Sequence, residues 1–268
     1  MTQLPLRDIP VVILCGGEGS RFGQMTQDTP KPLLPIGPEP ILMHIMRIYA
    51  LHGFRKFILC LGYKGMMIKD YFLDRDLRLR DFTLNLTNGS RQFMGQSEPL
   101  DWDITFAETG ANSQTGARMR RIAKHVDAPL FCATYGDGVA NIDLTDLVRF
   151  HVSHGKIGTL TGVRTRSQFG ELRCEGDSVR AFVEKPPMEN LVNGGFFVFN
   201  REFLDRIDDD PDCILEREPM VGLAAEGQLK VYDHAGYWQC MDTFKDYRAL
   251  NEMFDAGDIP WKSAGPQG

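Results

Sequence analysis

Short runs rich in β-branched and aromatic residues alternate with amphipathic helical patterns along most of this 268-residue chain. Such alternation has one economical burial scheme, a mostly parallel sheet with helices on both faces. Residues 11–14, 57–61, 104–107, 130–135 and 159–163 read as buried strands, with helices at 41–52, 64–72, 117–124 and 143–154 between or after them. From 169 onward the pattern turns hairpin-like, with strands at 172–174, 179–184 and 195–199 separated by Gly, Pro and Asn. Helices at 201–207 and 219–227, a strand at 230–234 and a closing helix at 243–256 complete the chain. The polar stretch 74–99, with one strand-like run at 82–86, reads as an excursion from the sheet. The expected fold is a single α/β domain, a doubly wound, mostly parallel Rossmann-like sheet with a smaller β-rich lobe. Its core spans about 9–165, the lobe and a return strand about 166–242, and the C-terminal helix and tail 243–268.

Charge narrows the range of partners. Against 36 acidic residues stand 30 basic ones, a formal net charge of −6. A chain-wide grip on nucleic acid is therefore not expected, while a local basic site for phosphate remains open. No run of 18 apolar residues occurs and residues 1–10 lack the apolar core of a signal peptide, so no membrane partner and a cytoplasmic location are expected. The six cysteines, Cys15, Cys60, Cys132, Cys174, Cys213 and Cys240, read as buried free thiols. His151 and His154 share a helical face without a third ligand, which argues against zinc.

The strongest chemical signal is the strand 11–14 running into Cys15-Gly16-Gly17-Glu18-Gly19-Ser20-Arg21-Phe22-Gly23. A glycine loop at a strand end turns several backbone N–H groups toward one point, a nest for phosphate oxygens. Glycine is expected there for positive φ and for close approach of a ligand. Arg21 adds a planar cationic fork. A dinucleotide fingerprint fails because Phe22 stands where its last Gly belongs. Pro30, Pro32, Pro35, Pro38 and Pro40 also forbid the helix that should follow. A Walker A loop fails for want of its Gly-Lys-Ser/Thr ending. Lys31, between two prolines, is expected on an extended backbone with its stem pre-aimed. Taken alone it reads equally as a surface lysine.

This loop, followed by Lys31-Pro32-Leu33 and a hydrophobic helix, resembles the signature of the sugar-1-phosphate nucleotidylyltransferases. Further matching blocks are His44-Ile45-Met46, Gly62-Tyr63-Lys64-Gly65, Thr115-Gly116-Ala117-Arg118 and Tyr135-Gly136-Asp137-Gly138. Glu184-Lys185-Pro186, Asn193-Gly194-Gly195-Phe196 and Trp238-Gln239-Cys240-Met241-Asp242-Thr243 complete the set. The blocks lie in family order and lean toward members that use CTP and glucose 1-phosphate. The resemblance implies attack of the sugar phosphate on the α-phosphorus of CTP, giving CDP-glucose and pyrophosphate. UTP or dTTP, or another sugar 1-phosphate, is the nearest alternative, and a non-catalytic regulatory subunit on the same fold the remote one.

Residue roles follow from the same resemblance. Leu14, Gly16, Gly17, Glu18, Gly19, Ser20, Arg21 and Lys31 face the nucleotide, with Arg21, Lys31 and Asp137 catalytic. Ser113, Thr115, Gly116, Arg118 and Gly136 complete the nucleotide site, Arg118 offering donors and Ala117, for a family Gly, narrowing the base loop. Asp137 and Asp242 hold Mg²⁺. Gly170, Glu184, Lys185, Asn193 and Gly194 take the sugar phosphate. A homo-oligomer is implied too, with the excursion at 74–99 serving assembly. From the residues alone, Asp137 also reads as a turn aspartate, Asp242 as a helix cap, Arg118 as part of a solvated face, and Glu184-Lys185 as an exposed charged turn.

Overall fold

The computed structural model describes residues 5–17, 22, 28–96, 98–167, 169–188 and 190–263. Seven strands form the central sheet: β1 (Pro10–Leu14), β2 (Lys56–Leu61), β3 (Asp103–Glu108), β4 (Leu130–Tyr135), β5 (Gly158–Val163), β6 (Val192–Asn200) and β7 (Leu229–His234). Their order across the sheet is β7-β5-β6-β4-β1-β2-β3. β6 runs antiparallel to both its neighbours and every other pairing is parallel. The mixed α/β fold with a mostly parallel sheet is the one expected.

The central strands are continuous apolar runs because both faces are covered. Along β1, Val11 and Ile13 point into one core with the helix α1 (Ile41–Leu51), while Val12 and Leu14 point into the other, with Phe131, Phe197 and Phe199. The second core also receives Met119 and Ile122, at the end of the helix α2 (Thr115–Arg121). A late turn seals the first core: Trp261 is 1% exposed, and its indole N–H donates to His44 Nδ1 at 3.2 Å. His44 Nε2 then donates to the Ile36 carbonyl at 2.9 Å, so the buried imidazole is fully used while neutral.

Several elements differ from expectation. The helix expected at 117–124 starts at Thr115 and tightens into a 3₁₀ turn at Ala123–His125, and 201–207 is 3₁₀ rather than α. The excursion at 74–99 folds a short helix (Arg75–Leu79) and an exposed hairpin pairing Phe82–Leu84 with Arg91–Phe93. Of the stretch expected as lobe and return strand, β6 and β7 belong to the main sheet. The hairpin of Glu171–Glu175 with Ser178–Val183 stands apart, and Trp238–Cys240 forms a separate short ribbon with Gly138–Ala140. Three cysteines are buried, but Cys174 is exposed and Cys213 and Cys240 are intermediate, so burial holds for half of the six.

Candidate active site

Strand order creates the site. β1 lies between β2 and β4, so the loops leaving its C-terminal end and that of β4 open beside one another at a crevice. Leu14 pairs with Tyr135, and the Gly136 N–H donates to the Leu14 carbonyl at 3.0 Å. A Cβ on Gly136 would come within 2.8 Å of that same carbonyl, which is why glycine stands there. The crevice opens into a cleft of about 320 Å³ that includes Leu14, Gly16, Gly17, Lys31, Ser113, Thr115, Arg118, Gly136, Asp137 and Asp242. Sequence positions spread over most of the chain are thus gathered on one wall.

Lys31 is the centre of this cleft. Its ammonium donates to Asp137 Oδ2 at 2.7 Å and to Asp242 Oδ1 at 2.9 Å, and it lies 5.4 Å from the centre of the Phe22 ring. Burial alone would depress its pKa, but the two carboxylates outweigh burial and hold it above the ordinary lysine value. The expected extended backbone is not found at Lys31. The extended residue is Pro30, and Lys31–Leu33 forms one 3₁₀ turn with Pro32 in its first turn. Proline is tolerated there because no N–H is needed.

A short ribbon joins the two carboxylates. Gly138–Ala140 pairs antiparallel with Trp238–Cys240, and the Met241 N–H donates to the Asp137 carbonyl at 2.8 Å. Asp242 is not the helix cap that its position suggested. Thr243 caps the helix α3 (Phe244–Asp255) in a capping box with Asp246, which leaves the Asp242 carboxylate directed at Lys31. Ligand atoms of Asp137, Cys240 and Asp242 lie within 4.8 Å of one another, a group able to hold a metal ion. Two carboxylates that share one ammonium suit a hard divalent cation, which takes few protein ligands. The nearby thiol of Cys240 had no signal in the sequence.

The nucleotide loop differs in its working parts. Glu18, Gly19, Ser20 and Arg21 lie outside the described residues. Of the loop glycines, Gly16 and Gly17 do not take up the left-handed φ expected of them. Gly16 is needed for another reason: a Cβ there would sit 2.2 Å from the Arg118 guanidinium, and one on Gly62 would sit 2.3 Å from it. Arg118 is 3% exposed and wedged between these glycines. Its Nη1 donates to the carbonyls of Leu61 and Gly110 and to Thr109 Oγ1, and its Nη2 to the carbonyls of Gly16 and Ala111. Both terminal amino groups thus tie loops together instead of being presented to a nucleotide or to solvent. Cys15 beside it is 1% exposed, and burial pushes its thiol well above the ordinary range, so it is no ready thiolate.

The loop at 113–117 is likewise spoken for. Ser113 Oγ accepts from Arg121 at 2.6 Å, and the N–H groups of Gly116 and Ala117 donate to the Cys213 carbonyl. Gly116 lies behind the cleft, where a Cβ would meet Cys213 Sγ at 2.6 Å. Ala117 is fully buried, so its methyl fills core instead of narrowing the base loop. Thr115 donates to Glu216 Oε2 at 2.8 Å. The Tyr135 hydroxyl donates to the other oxygen of Glu216, and Asn193 Nδ2 donates to that hydroxyl at 3.1 Å. Burial, with the Glu216 charge beside it, raises the Tyr135 phenol well above its ordinary value. Glu216 went unnoticed in the sequence because an acidic residue among Arg and Glu looks like solvated surface.

The expected sugar residues divide into two groups. Asn193 and Gly194 sit at the start of β6, and the Gly194 carbonyl accepts from the Trp238 indole at 2.7 Å. Gly170, Glu184 and Lys185 flank the separate hairpin, and none of the five expected sugar residues lines the cleft. The Glu184 and Lys185 side chains are 61% and 51% exposed and 3.6 Å apart. Lys185 carries φ 47°, a left-handed conformation uncommon outside glycine, and a Cβ on Gly170 would meet the Phe182 ring at 2.4 Å.

Comparison with known proteins agrees with this architecture. A probable glucose-1-phosphate cytidylyltransferase of Bacillus subtilis (strain 168) is 43% identical over 94% of this chain and 98% of its own. A glucose-1-phosphate cytidylyltransferase of Salmonella typhi is 42% identical over 94% and 98%. Among solved structures, HddC from Yersinia pseudotuberculosis superposes with a TM-score of 0.66 at 22% identity, covering 92% of this chain and 99% of that one, a likeness of fold. Residues 10–255 match the nucleotidyl transferase family, and with the sheet-edge cleft in place the chain belongs to that family.

Proposed function

We propose that the chain transfers the cytidylyl group of CTP to α-D-glucose 1-phosphate, forming CDP-glucose and pyrophosphate. A phosphate oxygen of the sugar attacks the α-phosphorus, one P–O bond forms, and the bond to pyrophosphate breaks. Both reactants are polyanions, so the protein's work is alignment and charge neutralisation. The observation that carries this reading is the Lys31 ammonium held between Asp137 and Asp242 at the C-terminal edge of the sheet. Relatives at 43% and 42% identity, matched over 98% of their own length, support the choice of CTP and glucose 1-phosphate.

Asp137 and Asp242 are the residues that would hold Mg²⁺, whose chemistry is to neutralise phosphate oxygens. Lys31 and Arg21 bind the triphosphate, with Gly16, Gly17, Glu18, Gly19 and Ser20 supplying the loop around it. Leu14, Ser113, Thr115 and Gly136 border the nucleotide, while Gly116 and Arg118 hold its loops in position. Asn193 and Gly194 border the sugar, and Lys185 and Glu184 on the exposed hairpin receive its phosphate and hydroxyls. The whole forms one nucleotidyltransferase domain, working in the cytoplasm as a homo-oligomer. The hairpins bear exposed Leu84, Leu172, Val179 and Phe182, apolar surface that assembly would cover. Among the described residues, no helix is long and apolar enough to cross a membrane.

The test is pyrophosphate release with Mg²⁺ and glucose 1-phosphate, offering CTP, UTP, dTTP, ATP and GTP in turn. Turnover with CTP alone is expected. Activity with another nucleotide would reassign the base pocket, and silence with all five would overturn the sugar. Sedimentation tests the assembly, and a stable monomer would refute it.

A further inference from the structure

We infer that Glu216 is a positioning residue that couples the nucleotide side of the cleft to the sugar side. It lies in the turn before the helix at Glu218–Ala225, half-buried and behind the cleft. One carboxylate oxygen accepts from Thr115, the first residue of α2, and the other from Tyr135, the last residue of β4. Each donor then accepts a bond in turn. Thr115 Oγ1 takes the Leu215 N–H at 2.9 Å, and the Tyr135 hydroxyl takes Asn193 Nδ2 at 3.1 Å. Asn193 Oδ1 accepts the Gly195 N–H at 2.9 Å, closing the chain onto β6.

A continuous run of hydrogen bonds therefore passes from the loop beside the nucleotide to the strand beside the sugar, with the Glu216 carboxylate as the bridge among the described residues. Thr115 and Tyr135 line the cleft, whereas Glu216 does not. Among the described residues no cation forms an ion pair with Glu216. Two hydroxyl donors hold its charge in place, and bonds to a charged group are strong and directional. Placing an unneutralised carboxylate behind a site for two polyanions works against binding by charge alone. Its value lies in geometry: ordering Thr115 by one substrate fixes Tyr135 and Asn193 for the other.

This inference rests on the two-substrate reading proposed above. The two fail differently: wild-type silence with CTP sinks the substrate assignment, and the Glu216 test then runs on whichever pair the wild type turns over. In steady-state kinetics with both substrates varied, Glu216→Ala is expected to raise both KM values about tenfold, the loss of one charge-assisted bond on each side. Tyr135→Phe and Thr115→Val should each raise both KM values, Tyr135→Phe more for the sugar phosphate and Thr115→Val more for the nucleotide. Either change added to Glu216→Ala should add little. Glu216→Gln keeps one acceptor and should restore one of the two KM values to within about threefold.

Unchanged KM values in Glu216→Ala would overturn the inference. So would losses in kcat alone that track the folded fraction, since a merely structural prop would behave that way. Should Glu216→Ala fail to fold, the Thr115→Val and Tyr135→Phe pair still decides. Effects that multiply independently refute coupling, and effects that do not multiply support it.

Discussion

The two ends of the proposed site are built in opposite ways. Lys31, Asp137 and Asp242 stand on strand ends and a short ribbon, and the lysine is mostly sequestered and held by two carboxylates. Glu184 and Lys185 stand beside a two-stranded hairpin whose residues are almost all exposed, with more than half of each side chain in water. A charge fixed in a sheltered cleft is worth far more than the same charge in solvent. The strand-edge half is thus pre-organised for chemistry, whereas the proposed sugar-binding hairpin presents its charges to water. Isolated hairpins are marginal in water, which is the physical ground for expecting a partner there.

The comparison can be broken most directly at Asp137. Asp137→Asn should cut turnover about 10³-fold while circular dichroism and melting temperature stay near wild type. A rate within tenfold of wild type would remove the carboxylate pair from the chemistry.

Away from the cleft, the buried core carries a pH dependence of its own. Burial pushes His151 down to about 4 from an ordinary 6.5. The unfolded chain then binds the proton first, so stability is full above about pH 6.5 and falls toward pH 4. The loss reaches about 3 kcal/mol for this one group. Urea unfolding at pH 7 and pH 4.5 measures it, and a flat profile in that window would contradict the buried neutral imidazole.

Two adjacent glycines sharpen the contrast further. Gly16→Ala drives a methyl into the Arg118 guanidinium and should cost about 1–3 kcal/mol. Gly17→Ala meets nothing within 4 Å and should leave stability within about 0.5 kcal/mol. Equal effects in denaturant titrations would mean that Arg118 does not hold the loop. The smallest change is expected on the hairpin. Lys185→Met should raise the sugar-phosphate KM about tenfold with no shift in melting temperature, and an unchanged KM would dismiss it as a phosphate contact.

Much of this was legible in the chain. The strands at 11–14 and 130–135, the flanking helix at 41–52 and the glycine loop all follow from local patterning, because the alternation of apolar residues is a property of neighbours in sequence. Lys31, Asp137 and Asp242 were legible as chemistry through the family resemblance that their blocks carry. Arg118 was not: on α2 it stands beside Arg120 and Arg121 in one basic run, and nothing local distinguishes the residue that is buried from those that face out.

By itself the sequence determined the class of fold, the order of the strands along the chain and the types of residue available for phosphate and metal. Only the tertiary structure decided who meets whom. It set Lys31 between two carboxylates, aimed Arg118 at loop carbonyls, and made Glu216 the bridge between Thr115 and Tyr135. The physical reason is range. Patterning acts over a few residues, whereas a hydrogen bond such as that from Lys31 to Asp242 joins positions 211 apart. Such a partner becomes visible only once the packed sheet has fixed where each strand ends.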